Sequence, residues 1–170
     1  MSELRIAGVV GESITDGPGF RFTVFTQGCP HHCEGCHNPQ THDFNGGEVV
    51  DTDTLWGRIK GDILLSGVTL SGGEPFAQAS ALLDLAQKVK GAGLELAAYS
   101  GYTFDELLQH GGDKLELLKL CDVLVDGKFI LSQRSLMLRF RGSKNQRIVD
   151  VQKSLRDGTV SEVHDGRWQD

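Results

Sequence analysis

The chain has 170 residues, of which 39% are hydrophobic and 24% charged, and its formal net charge is −6 at pH 7. A chain of this length can bury one substantial core without disulfide bonds, so we expect a single domain over residues 1–170, with a polar C-terminal tail from about residue 158. The negative charge argues against a general nucleic-acid binder, and no apolar run approaches the roughly 18 residues that a membrane span needs.

The N-terminal segment MSELRIAGVV lacks a basic stretch followed by a long apolar one, which is the pattern of a signal peptide. We therefore expect a cytoplasmic protein with neither a membrane nor a nucleic-acid partner. In the cytoplasm, clustered cysteines bind metals or do redox work more often than they form disulfides.

Strands and helices are predicted to alternate along the chain. Runs of β-branched and aromatic residues predict strands at 5–10, 21–26, 67–70, 94–99, 123–125 and 147–151. Apolar residues at helical spacing predict helices at about 52–64, 78–90, 104–109, 114–120 and 151–156. Thr103 and Glu106 have the spacing of a capping box at the start of the third helix. This order predicts an α/β fold with a largely parallel sheet, open or partly closed into a barrel.

Four unusual loops follow predicted strands. Their sequences are TQGC at 26–29, SGGEP at 71–75, SGY at 100–102 and DGK at 126–128. Because parallel α/β sheets bind ligands at the carboxyl ends of their strands, we expect the four loops to line one mouth.

Three cysteines in the first of these loops have the spacing C-x3-C-x2-C, at Cys29, Cys33 and Cys36. Such a loop can give three ligands to one metal centre. Four histidines lie nearby, His31, His32, His37 and His42. A zinc site of three cysteines and one histidine, an iron-sulfur cluster, and redox-active or unliganded thiols all remain open on spacing alone. In a cubane cluster, which normally takes four cysteines, three would leave one iron free to bind a substrate.

The fourth cysteine, Cys121, lies far along the chain between leucines and valines, which predicts a buried, unreactive thiol rather than a fourth ligand. A second distinctive stretch runs from 127 to 149 and contains no acid. It holds six of the seventeen basic residues, Lys128, Arg134, Arg139, Arg141, Lys144 and Arg147. These side chains could bind an anionic group, dock a partner protein or form a solvated surface.

The cysteine motif together with SGGEP resembles the radical S-adenosylmethionine (radical SAM) superfamily. Within it, DGPGFRFTVFTQGC and the ending CHNP resemble the activases of glycyl-radical enzymes. The series CEGCHN, TLSGGEP, GYTFDEL, VDGKF and RGSKNQ resembles the subgroup that acts on anaerobic ribonucleoside-triphosphate reductase. The likeness extends in order from about Asp16 to Arg147.

The resemblance implies an incomplete parallel β/α barrel of the radical SAM type, because the chain is too short for eight β/α units. It implies that Cys29, Cys33 and Cys36 hold a 4Fe-4S cluster whose open iron binds S-adenosyl-L-methionine (SAM). Reductive cleavage of SAM would then generate a glycyl radical on the reductase, with a flavodoxin-like or ferredoxin-like electron donor. No catalytic side chain beyond the cluster and SAM is implied.

The resemblance also implies contacts with SAM. Gly72 and Gly73 would let the backbone approach it, and Glu74 would accept hydrogen bonds from its ammonium group. The superfamily commonly has an aromatic residue before the third cysteine, against the adenine, but this chain has Gly35. Adenine is therefore left to backbone groups at Gly35 and Cys36 or to a neighbour such as His37.

Further ligand or partner contacts are expected at the same mouth. Tyr99 and Ser100 end a predicted strand, although core packing is an equal alternative for Tyr99. Asp126 and Lys128 follow the next strand. Arg139 and Arg141 are candidates for binding the SAM carboxylate.

Three alternatives remain at this stage. The chain could activate another glycyl-radical enzyme of the pyruvate formate-lyase type, although Gly35 favours the reductase subgroup. It could be a radical SAM enzyme with a small-molecule substrate. It could also be a zinc-binding interaction module without catalysis, which would leave the SGGEP loop without a function.

Overall fold

The computed structural model describes residues 2–169. Seven strands form one sheet in the order β3-β1-β2-β4-β5-β6-β7. The strands are β1 (Glu3–Ser13), β2 (Arg21–Thr26), β3 (Glu48–Asp51), β4 (Gly67–Gly72), β5 (Glu95–Ser100), β6 (Val123–Asp126) and β7 (Arg147–Asp150). The helices are α1 (Thr52–Lys60), α2 (Ala79–Gly91), α3 (Phe104–His110), α4 (Gly112–Leu120) and α5 (Val151–Asp157).

The centre of the sheet is parallel and its flanks are antiparallel. β2, β4, β5 and β6 pair in parallel, whereas β1, β3 and β7 run antiparallel to their neighbours. The sheet ends at β3 and β7 and does not close. The predicted α/β fold with an incomplete parallel barrel is thus confirmed. β1 and β2 are antiparallel because residues 14–20 between them are too few for a crossover helix.

All six predicted strands and all five predicted helices are present, and Thr103 with Glu106 forms the predicted capping box. β3 was not predicted, because it is a short edge strand whose half-exposed residues give no clear alternation. The first helix was predicted to extend to about Leu64, but α1 ends at Lys60 with Gly61 as its cap. Ile63, beyond that cap, is 95% exposed.

Two apolar clusters cover the two faces of the sheet. The larger one joins the strands to the helices, with fully buried residues such as Leu82 and Leu118. The smaller one joins β5, β6 and β7 to the C-terminal tail through Val163 and Trp168. The C-terminal tail was expected only to be polar. Trp168 is nevertheless 0% exposed and anchors the tail to the sheet. None of the helices between residues 2 and 169 is long and apolar enough to cross a membrane.

Candidate functional site

The cysteine loop begins where β2 ends and is closed by backbone hydrogen bonds. Gly28 donates to the Thr41 carbonyl at 2.7 Å, and Cys29 donates to the His42 carbonyl at 3.2 Å. Gly35 turns the loop at φ +75°, and a Cβ there would lie 2.8 Å from Leu131 Cδ1. A side chain at this position would therefore meet both a strained backbone and a close neighbour, which explains the glycine that departs from the superfamily pattern.

The four loops predicted to share a mouth do line one cleft, of about 760 Å³, at the carboxyl ends of the parallel strands. Each loop contributes residues, including Cys29, Gly72, Ser100 and Gly127. The parallel register of β2, β4, β5 and β6 places these loops side by side. The cleft is thus a direct consequence of the strand order.

The three predicted ligands Cys29, Cys33 and Cys36 all line this cleft. Cys29 is 8% exposed, and burial raises the pKa of its thiol, with Glu74 and the other two thiols adding to the rise. The backbone N–H of Asn38 donates to Cys36 Sγ at 3.4 Å. Hydrogen bonds of this kind tune the potentials of iron-sulfur clusters. Thiols that share one open cleft fit a cluster with an accessible iron.

Within residues 2–169, no three His, Cys, Asp or Glu side chains converge on a single metal-ion position. His32 and His42 instead stack edge to face, with centroids 5.6 Å apart.

The glycine pair Gly72-Gly73 binds β4 to the base of the cysteine loop. Gly73 donates to the Thr26 carbonyl and Glu74 to the Gly28 carbonyl, each at 2.8 Å. A Cβ on Gly73 would lie 2.3 Å from the Gly28 oxygen, and one on Gly72 would lie 2.4 Å from the Thr26 nitrogen. Both glycines line the cleft, and the close approach that requires them is between two protein backbones.

Glu74 lies beneath the cleft and is 0% exposed. Its carboxylate accepts hydrogen bonds from Ser100 Oγ at 2.9 Å, from the Gly101 N–H at 2.8 Å and from the Phe76 N–H at 3.1 Å. His31 Nε2 lies 2.6 Å from Glu74 Oε1. The carboxylate thus ties the ends of β4 and β5 to the cysteine loop.

Two further predicted residues line the cleft wall. Arg141 donates from Nη1 to the Gln146 carbonyl at 3.2 Å, but its Nε is buried and has no hydrogen-bond partner in the described part of the chain. Tyr99 is also on the lining, where burial and the nearby Asp16 carboxylate raise the pKa of its phenol well above the usual range. A guanidinium nitrogen that lacks a hydrogen-bond partner beside a cleft can donate to an anionic group of a ligand.

Other predicted contacts lie away from the cleft lining. Asp126 is 1% exposed and accepts from Arg147 at 2.5 Å and from the Phe104 N–H at 2.8 Å. Lys128 is exposed to solvent, and Arg139 donates to the Gly166 carbonyl at 2.9 Å. Asp126 and Arg139 therefore have structural contacts. Cys121 is 0% exposed, as expected for a buried thiol.

Phe129 and Gln146 also line the cleft, although the sequence did not predict them as site residues. The ring of His37 lies edge-on to Phe129, with centroids 5.1 Å apart, so the two form an aromatic corner of the cleft. Phe129 directly follows the DGK loop, and its place after a strand end was the signal that could have identified it.

The chain is similar to several known proteins. The profile of the family described as 4Fe-4S single cluster domain matches residues 15–149. The anaerobic ribonucleoside-triphosphate reductase-activating protein of Vibrio cholerae is 40% identical over 142 residues, covering 78% of this chain and 89% of that protein. The protein of the same name from Escherichia coli K12 is 35% identical over 142 residues, with 78% and 90% covered. The crystal structure of QueE from Escherichia coli matches with a TM-score of 0.47 at 19% identity, over 59% of this chain and 53% of that one.

Proposed function

This chain belongs to the family of anaerobic ribonucleoside-triphosphate reductase-activating proteins, enzymes with a 4Fe-4S domain, and we propose that it generates a glycyl radical on that reductase by reductive cleavage of SAM. One observation carries the proposal: three thiols and the Gly72-Gly73 turn line a single cleft at the carboxyl ends of the parallel strands. When bound, the cluster and SAM supply one-electron cleavage of the sulfonium bond to the 5′ carbon and removal of a hydrogen atom from glycine.

The proposed reaction consumes one electron for each glycyl radical formed. One electron, from a flavodoxin-like or ferredoxin-like donor, enters with SAM and the glycine of the partner. The bond between sulfur and the 5′ carbon breaks, the glycine Cα–H bond breaks, and a C–H bond forms at the 5′ carbon. The products are methionine, 5′-deoxyadenosine and the glycyl radical.

The cysteines hold the cluster in this proposal. Cys29, Cys33 and Cys36 would hold the cluster as thiolates, and three protein ligands would leave one iron able to bind SAM. The N–H of Asn38 stabilises the sulfur of Cys36, which it contacts at 3.4 Å. Since all three thiols come from one loop, the loop as a unit sets the position of the cluster.

Other groups that line or border the cleft would orient SAM. Arg141 receives the carboxylate, supported by its buried Nε without a partner among the described residues. The Gly72-Gly73 backbone and Glu74 receive the ammonium group. His31 Nε2 contacts Glu74 at 2.6 Å, so the ammonium replaces or shares that contact when it reaches the carboxylate. Adenine packs at the corner of His37 and Phe129, which supplies the aromatic surface that Gly35 cannot.

An electron paramagnetic resonance experiment tests the proposal. The anaerobically reconstituted, reduced protein is expected to give a cluster signal that changes when SAM is added. Addition of the anaerobic reductase should then produce a glycyl radical on it, while a pyruvate formate-lyase type partner should remain without one. Bound zinc in place of a cluster signal, or a radical on the other partner instead, would refute the proposal.

A further inference from the structure

A hairpin overhangs the cleft between β6 and β7. Residues 130–144, which we call the rim hairpin, turn back on themselves with Arg134 bridged to Ser143 in antiparallel fashion. The Ser135 N–H donates to the Gly142 carbonyl at 3.1 Å, and the Lys144 N–H donates to the Gln133 carbonyl at 2.9 Å. These bonds define its two arms and leave residues 135–142 as its tip.

The tip of the rim hairpin combines cleft lining with exposed apolar surface. Leu136, Phe140 and Arg141 line the cleft. Leu136 is nevertheless 83% exposed, and Met137 beside it is 92% exposed. Two further large apolar side chains on the same hairpin, Ile130 and Leu131, are 38% and 42% exposed. Apolar surface of this kind at the entrance to a site marks a place where another molecule binds.

The charge of this region is also distinctive. The chain carries a net charge of −6, yet residues 127–149 contain no acid. Lys128, Arg134 and Lys144 are exposed there. A positive surface on an otherwise acidic protein attracts a negatively charged partner and steers its approach. Apolar and basic side chains next to one another suit a segment that carries both apolar and acidic groups.

Several contacts hold the rim hairpin in place. The Gln146 side chain accepts from the Gly142 N–H at 2.9 Å and donates to the Gly127 carbonyl at 3.0 Å. From the other side, the Trp168 ring packs edge-on against Phe140 at a centroid distance of 5.4 Å. Leu136 and Met137 are therefore presented to solvent by a braced element, so binding there needs little ordering of the chain.

We propose that the rim hairpin docks the segment of the reductase that carries the reactive glycine, with Met137 and Arg134 contacting apolar and acidic side chains of that segment. The inference rests on the proposed function, since the glycine of that partner has to enter the cleft to which the rim hairpin contributes Leu136, Phe140 and Arg141. Met adapts its shape to a partner, and Met and Arg are both enriched at protein interfaces.

A binding measurement with matched variants tests the proposal. The cluster-loaded full chain is titrated anaerobically with the intact reductase from the same organism, and the dissociation constant is determined by calorimetry. Met137→Glu and Arg134→Glu are each expected to weaken binding about ten-fold, the effect of a central interface residue. Raised salt should weaken binding further, because part of the attraction is between charges.

Ile63→Glu is the matched control. Ile63 is 95% exposed, close to the 92% of Met137, but it precedes the start of β4 and thus lies at the opposite end of the parallel strands from the cleft. Its substitution by Glu should leave the dissociation constant unchanged within about two-fold, well under the ten-fold that corresponds to 1.4 kcal/mol. Thermal unfolding of all three variants checks that each is folded.

The outcomes separate this inference from the proposed function. Equal affinity of wild type, Met137→Glu and Arg134→Glu for the reductase would overturn the docking site and leave the function intact. A change in self-association of Met137→Glu without reductase would also overturn it, by identifying a second copy of the chain as the occupant. Rim-dependent binding without any glycyl radical would support the docking site and refute the proposed function.

Discussion

The indole ring of Trp168 lies edge-on to the ring of Phe140, with centroids 5.4 Å apart. Phe140 lines the cleft, whereas Trp168 belongs to the C-terminal tail and is 0% exposed. Trp168 also lies under the guanidinium of Arg21, whose central carbon is 5.3 Å from the ring centroid. A tail residue thus supports the wall of the proposed SAM site from behind.

Trp168→Ala is accordingly expected to lower the free energy of unfolding by about 3–5 kcal/mol, as truncation of a buried Trp does. It should also weaken SAM binding through Phe140. The measurement is a double-mutant cycle of Trp168→Ala and Phe140→Ala, with SAM affinity and urea unfolding as readouts. Trp56→Ala on α1, where the Trp is only partly buried, is the control and should leave SAM affinity unchanged.

Additive effects of the two substitutions on SAM affinity would show that Trp168 does not act through Phe140. Trp168→Phe should recover most of the stability and affinity, because it keeps an aromatic ring against Phe140.

Glu74→Gln is expected to destabilise the fold by about 1–3 kcal/mol although it preserves shape. Each oxygen of the Glu74 carboxylate accepts from protein donors, among them the N–H groups of Gly101 and Phe76. In either orientation of a glutamine side chain, its amide nitrogen would face one of these two N–H groups. Because that nitrogen cannot accept a hydrogen bond, the N–H group would lose its partner. Urea unfolding measures the loss. Unchanged stability would mean that losing the hydrogen bond from the Gly101 or Phe76 N–H costs nothing, which would contradict the prediction.

Sequence reasoning identified the cysteine loop and the glycine pair because their chemistry is local in the chain. Cys29, Cys33 and Cys36 lie within one loop, and the shared position of this loop and Gly72 at the carboxyl ends of strands followed from alternating strands and helices. Contacts between side chains from distant segments could not be predicted in this way. The sequence pattern does not record that Asp126 is paired with Arg147, or that Trp168 returns to the cleft wall, since both contacts depend on packing of distant segments.

Phe129→Leu should raise the dissociation constant of SAM about two- to ten-fold, since an aromatic contact is worth roughly 0.5–1.5 kcal/mol beyond area alone. The rings of Phe129 and His37, with centroids 5.1 Å apart, form the corner of the cleft where adenine is proposed to bind. Equilibrium binding to the cluster-loaded protein is the measurement. Phe20→Leu, at a 45% exposed residue just before β2, serves as control. Equal affinities for both variants would place adenine elsewhere.

Cys121 should resist alkylation across the ordinary pH range. Its burial, with a smaller effect of Asp122, raises the pKa of the thiol to about 12. The reactive thiolate is therefore nearly absent at pH 8, and its fraction grows only as the pH approaches that value. Mass spectrometry of the folded, cluster-loaded protein should find Cys121 unlabelled by iodoacetamide, and labelled after unfolding. Cys121→Ser should keep its full iron content, whereas a loss of iron would make Cys121 a ligand.

Arg141 gives the sharpest test of how SAM is oriented. Arg141→Ala should weaken SAM binding about ten- to a hundred-fold, because a hydrogen bond to a charged group is worth about 1.5–3 kcal/mol. Arg139→Ala removes the same charge from a neighbouring position that is outside the cleft lining and should leave SAM affinity unchanged. Arg141→Lys should recover only part of the affinity, because Lys lacks the planar fork that binds a carboxylate through two hydrogen bonds.

Comparing Arg141→Ala with Arg139→Ala separates two ways in which the basic residues could bind SAM. If affinity falls equally in Arg141→Ala and Arg139→Ala, the field of the whole stretch attracts SAM and Arg141 has no specific place. If only Arg141→Ala loses affinity and the loss persists at high salt, the contact is direct, since partly buried pairs are screened less than exposed charges. The buried Nε of Arg141, without a partner in residues 2–169, favours the second result.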